Sequence, residues 1–177
     1  DEEEEALKDV ERLLRRNEKL IEEHERRSEK LLRELEDVVR RHEERSKELL
    51  ERIRERIKRL TDEDRVRDIE RLMRELEEES RRTAKTAREL LEELRRRSKE
   101  TVERIEKSLE DLRRTVEREG VDEEVLKKLR KLSKESEDDI RKMSEEVEEI
   151  VRRIKRLLEE ATRKLEELVK RIEERID

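Results

Sequence analysis

Apolar side chains recur in this chain every 18 residues, and that spacing restricts the fold more than any other feature of the sequence. Leu13, Leu31 and Leu49 form one set, Leu14, Leu32 and Leu50 a second, and Ile21, Val39 and Ile57 a third. The middle of the chain repeats Met73, Leu91 and Leu109, then Leu76, Leu94 and Leu112. The last third repeats Leu129, Val147 and Leu165, then Leu132, Ile150 and Leu168. Eighteen residues make about five turns at 3.6 residues per turn, so each set returns to one side of an α-helix. At ~100° per residue the apolar positions fill a stripe about 120° wide. A stripe of that width suits a three- or four-helix bundle better than a two-stranded coiled coil. A seven-residue repeat would impose a left-handed supercoil, whereas this period keeps helices nearly straight.

Composition raises an objection. Charged residues are 61% of the 177 and apolar residues 29%, a balance that usually accompanies disorder. The net charge is only -6, however, and a disordered tail has no need of strict apolar periodicity. A chain of Ala, Glu, Lys, Leu and Arg with helical period reads instead as long helices packed together. With no cysteine there is neither a disulfide framework nor a thiolate metal site. No apolar run approaches the ~18 residues a membrane span needs, and no signal-peptide pattern opens the chain, so the expectation is a soluble, non-secreted protein.

Two interruptions divide the pattern. At 60–66, L-T-D-E-D-R-V offers Thr61 or Asp62 as a helix N-cap. At 119–126, E-G-V-D-E-E-V-L places Gly120 just past a helix end and Asp122 at the next N-cap, with Val121 and Leu126 spaced for a hydrophobic staple. The prediction is three helices, about 2–60, 62–118 and 122–176, joined by short turns. Matched lengths and minimal turns make neighbours antiparallel. The expected architecture is all-α, a straight up-down-up three-helix bundle with helices of ~55 residues, forming one domain over 1–177.

The same register identifies polar side chains at core positions. His24 and His42 share a position with Leu60, and Ser28 and Ser46 share one with Val10. Asn17 is equivalent to Leu35 and Ile53. On the second helix Ser80 and Ser98 match Val116, Ser108 matches Leu90, and Thr83 and Thr101 recur at the same interval. On the third, Ser133 matches Val151, Ser136 matches Ile154, and Ser144 and Thr162 match Leu126. Antiparallel folding sets these residues at three heights. His24 and Ser28 lie level with Ser98, Thr101 and Ser144; His42 and Ser46 with Ser80, Thr83 and Thr162; Asn17 with Ser108, Ser133 and Ser136. An unpaired buried hydroxyl or imidazole costs about 1–3 kcal/mol, so convergence at one height predicts hydrogen bonding across the helices.

Sharper chemistry finds less support. The two histidines are 18 residues apart, hence about 27 Å along one helix, and cannot share a metal ion. The Glu-x-x-His spacing of di-iron bundles is absent, because Ile21 and Val39 precede the histidines by three. His24 and Ser28 have the spacing of a nucleophile–base pair, but a serine between packed helices has no access to substrate. The basic run Arg95, Arg96 and Arg97 is interleaved with glutamates and has no aromatic residue beside it for base stacking, so no nucleic-acid partner is expected. Buried imidazoles favour the neutral form, which leaves a pH-sensitive stability as an expectation.

Taken together, the strict-period core, Glu/Arg/Lys surface, capped minimal turns and repeated polar layers resemble de novo designed helical bundles. The resemblance covers the whole chain and lies in its style of construction. It implies a structural scaffold without enzymatic activity, cofactor, metal or small-molecule substrate, in which Asn17, His24, Ser28, His42 and Ser46 bond with partners on the other helices to fix helix pairing. The main alternative is an interaction module, in which a partner helix or further copies of the chain complete a larger bundle. Natural spectrin-like repeats are a weaker resemblance, since they normally carry aromatic residues and this chain has none.

Overall fold

A computed structural model describes residues 1–177 as three helices and two short turns, with no strand. They are α1 (Glu2–Ile57), α2 (Glu63–Glu119) and α3 (Glu123–Ile176). All three pack on one another, which makes the protein an all-α three-helix bundle.

The turns form where short polar residues and the single glycine allow. Asp62 Oδ1 accepts from the backbone N–H groups of Asp64 (3.1 Å) and Arg65 (3.4 Å), so Asp62, not Thr61, caps α2. Asp122 Oδ1 does the same for Val125 at 2.8 Å and caps α3. Gly120 takes a φ of 76°, which a side chain would resist, and donates its N–H to Val116 at 2.9 Å to close α2. The first turn differs from expectation. α1 ends at Ile57 rather than near 60, because Arg59 and Leu60 donate to Arg56 and Ile57 three residues back and tighten the chain out of the α-helix.

Contacts divide into two compact units, each built from segments of all three helices: 1–31 with 93–149, and 32–92 with 150–177. The first is centred on Val10, Leu14, Ile21, Val102, Ile105, Leu109, Val116, Val125, Leu129 and Ile140. Val121 and Leu126, from either side of the Asp122 cap, pack half-buried against this cluster. The second is centred on Leu49, Leu50, Ile53, Ile57, Ile69, Met73, Leu165, Val169 and Ile172.

Inter-helix ion pairs give the register inside each unit. In the first, Arg16 meets Glu137 on α3 at 2.8 Å and Arg113 on α2 meets Glu18 at 2.8 Å. In the second, Arg45 meets Glu166 at 3.0 Å, Arg52 meets Glu173 at 2.8 Å, and Arg54 meets Glu77 at 3.2 Å. Within the second unit, the α3 partners of α1 advance with it (Arg45–Glu166, then Arg52–Glu173) while its α2 partners run backwards (Glu43–Arg88, then Arg54–Glu77), the up-down-up order. These pairs are partly exposed at their arginine ends and each contributes little energy, so the apolar core carries the stability.

Candidate functional site

The first unit holds one histidine-centred group. His24 is 3% exposed, with Nε2 2.7 Å from Ser98 Oγ on α2 and Nδ1 2.6 Å from Ser144 Oγ on α3. Ser28, one turn along α1, is 3.4 Å from Nδ1 and adds only a weak contact. Two flanking hydroxyls suit a neutral imidazole: one hydroxyl accepts from the protonated nitrogen and the other donates to the bare one.

The second unit repeats the group 18 residues along, with a difference in its wiring. His42 Nδ1 is 2.8 Å from Thr162 Oγ1, and Nε2 is 3.2 Å from Ser80 Oγ. Thr162 donates its hydroxyl hydrogen to the Leu158 carbonyl at 2.9 Å. Ser46 donates to the His42 carbonyl at 2.8 Å, which obliges Ser80 to donate to Ser46 at 2.7 Å. A hydroxyl has one hydrogen, so both oxygens beside the ring present lone pairs. That arrangement matches a ring protonated on both nitrogens. A neutral His42 needs Thr162 or Ser80 to turn its hydrogen inward and give up another bond.

Burial pushes both histidines below the usual 6.5. For His42 the contact with Ser80 and the negative charge of Glu43 work against that effect. A recess of about 600 Å³, lined in part by Val38, Arg41, His42, Leu158 and Thr162, also reaches this ring.

Asn17, fully buried, makes the third group. Its Nδ2 donates to the Leu13 carbonyl at 2.9 Å and to Ser133 Oγ at 2.7 Å, while Oδ1 is buried without a partner. Ser136 is buried on the same helix as Ser133, one turn along.

Three residues expected in these groups lie elsewhere. Thr83, Thr101 and Ser108 sit at the half-exposed edge of α2 and donate to their own helix, to the carbonyls of Glu79, Arg97 and Arg104. At the edge of a stripe a hydroxyl reaches the carbonyl four residues back more easily than another helix. Thr101 also lies 3.7 Å from Met143 Sδ. Glu173, in contrast, was not anticipated: it is 8% exposed and held by Arg52 and Arg56 at 2.8 and 3.2 Å. Its equivalents at the 18-residue interval, Glu137 and Lys155, are charged too, so apolar periodicity gave no signal.

Chemically, neither histidine is arranged as a general base. Each ring lies within hydrogen-bond reach of serine or threonine hydroxyls, but no carboxylate is bonded to either ring to orient it, as a base–nucleophile pair requires, and both rings are buried. No group of three His, Cys, Asp or Glu residues is gathered in a way that could hold a metal ion. No helix is long and apolar enough to cross a membrane.

Comparison with family models, curated proteins and solved structures gave no match.

Proposed function

We propose that the protein is a structural scaffold without catalytic activity, built in the manner of designed helical bundles, whose buried polar groups specify which helix faces meet. The observation that carries this reading is the repeated His–Ser–Ser/Thr constellation, spanning α1, α2 and α3 in each unit. An aliphatic stripe accepts many rotations and partners at similar energy. A polar group that bonds in only one arrangement penalises the others by about 1–3 kcal/mol for each bond left unmade. The positions concerned accept apolar residues elsewhere in the repeat along α1: Ala6 for the histidines, Leu35 and Ile53 for Asn17. Polarity at these sites is thus a choice, not a steric need.

The test is a variant carrying Asn17→Leu, His24→Leu and His42→Leu. It should melt at or above the parent's temperature, since an orphaned Asn17 oxygen is removed and apolar burial gained. It should also lose uniqueness, seen as broadened amide resonances and, in light scattering, as masses the parent does not show at the same concentration. Retention of the parent's mass at every concentration and a sharp spectrum identical in dispersion to the parent's would refute a specifying role.

A second reading, an interaction module, is favoured by one observation. The second unit exposes Leu72 (38%), Leu90 (40%), Leu157 (59%) and Leu168 (39%), all on α2 and α3.

A further inference from the structure

We propose that the α2–α3 face of the second unit docks against the same face of a second copy of the chain, in a dimer whose two-fold axis runs parallel to the helices. The inference rests on the interaction-module reading and names the partner. It does not depend on the buried polar groups.

The argument begins with an asymmetry around each helix. On α2, the flank turned toward α1 carries Glu70, Glu77, Arg81 and Arg88, and pairs there through Glu77 with Arg54 and Arg88 with Glu43. At ~100° per residue the opposite flank carries Leu72, Leu76, Thr83 and Leu90. On α3, the flank toward α1 carries Thr162, Glu166 and Glu173, bonded to His42, Arg45 and Arg52. Its opposite flank carries Ile150, Leu157, Ala161 and Leu168. The apolar stripe is therefore widened on one side only, and on both helices that side lies away from α1.

The widened flanks coincide in height. Arg65 Nη2 reaches the Arg175 carbonyl, so the start of α2 lies level with the end of α3 in this unit. In that register Leu72 lies beside Leu168, Thr83 beside Leu157, and Leu90 beside Ile150. The three rungs form an apolar ladder about 27 Å long and about two helices, ~20 Å, wide. Isolated exposed leucines are ordinary, but four aligned on one face are not.

Charge selects the occupant. Beyond the rungs, the outer edge of α2 carries exposed Asp68, Glu75 and Glu79, whereas that of α3 carries Arg153, Lys164 and Arg171 with one acid, Glu160. A two-fold axis parallel to the helices places α2 over the partner's α3 at equal height. Each rung then meets its own copy, with Asp68 opposite the second copy's Arg171 and Glu75 and Glu79 opposite its Lys164. An axis across the helices would set α2 on α2, acid against acid. The face is thus complementary to itself in one orientation only, as an isologous interface requires. Its size is below that of standard interfaces, which bury about 800 Å² per partner, so the dimer is a concentration-dependent one.

Sedimentation equilibrium of the full chain, with refractive-index detection because the chain has no aromatic residue, tests this directly. From about 1 µM to about 1 mM, the mass should rise from 22.0 kDa toward twice that value. Leu157→Glu should hold the mass at 22.0 kDa with unchanged helicity, since Leu157 is the most exposed apolar side chain. Asp68→Arg should weaken the dimer about threefold to tenfold, and adding Arg171→Asp should restore it. A parent that stays at 22.0 kDa throughout overturns self-docking. So does a Leu157→Glu variant that dimerises as the parent does, although that result leaves the interaction-module reading standing on another face.

Discussion

His24 and His42 occupy equivalent places in the repeat, yet the hydrogens around them are distributed differently. Ser98 and Ser144 are free to take opposite roles toward a neutral His24, whereas the hydroxyl hydrogens of Thr162 and Ser80 have partners elsewhere, the Leu158 carbonyl and Ser46 Oγ, which leaves lone pairs toward His42. Glu43, itself paired with Arg88, adds negative potential near His42 and no such contribution acts on His24. His42 should therefore take up its proton at a higher pH than His24. Following the two imidazole spectra by NMR between pH 8 and pH 4 measures the order, and an inverted order would show that the hydroxyl assignments are wrong. Asn17 is the complementary case, a side chain with one atom more than its surroundings can satisfy. Asn17→Leu alone should raise stability by about 1 kcal/mol in urea titration, because Ser133 can turn its hydroxyl to its own helix.

Helix ends are governed by a handful of side chains. Gly120 is the one residue with positive φ, and a Cβ placed there meets nothing within 4 Å, so Gly120→Ala isolates the backbone cost. That substitution should destabilise by about 1 kcal/mol. Asp122→Ala, which removes the bond to the Val125 N–H, should cost about as much. Urea midpoints of both variants, with unchanged slopes, check the pair. If Gly120→Ala left the midpoint where it was, the closing turn would have to rearrange freely. Elements were readable in advance because caps and a glycine mark most of their ends. The end of α1 was not, since Lys58 and Arg59 are ordinary helix formers and only the tightening at Leu60 stops them. The polar groups were readable for a related reason: Asn17, His24 and Ser98 lie near the centres of their stripes, where any packing buries them. Thr83, Thr101 and Ser108 lie at an edge, and the period of one helix does not say whether a neighbour covers that edge.

At the scale of the molecule, the two histidines tie stability to pH. Burial lowers both folded pKa values from 6.5, so their favourable contribution is complete above the unfolded value and is lost as pH falls through the lowered folded values. Thermal melts by circular dichroism at pH 7.5 and 5.5, above most of the carboxylate range, should show a lower midpoint at pH 5.5. The shift should disappear in the His24→Leu, His42→Leu variant. A parent midpoint unchanged between the two pH values would mean the rings gain as many contacts when charged as they lose. The division of contacts into two units carries a consequence for how the chain reaches this state. Each unit contains one complete hairpin, 32–92 around the Asp62 turn or 93–149 around the Gly120 turn. Each also takes its third helical segment from a stretch remote in sequence, 150–177 for one and 1–31 for the other. Local closure can form the hairpins early, but neither core is complete until that remote segment arrives. Neither unit can be cut out as a single stretch of polypeptide, and deleting 1–31 or 150–177 removes a wall from the unit whose hairpin lies farther along the chain.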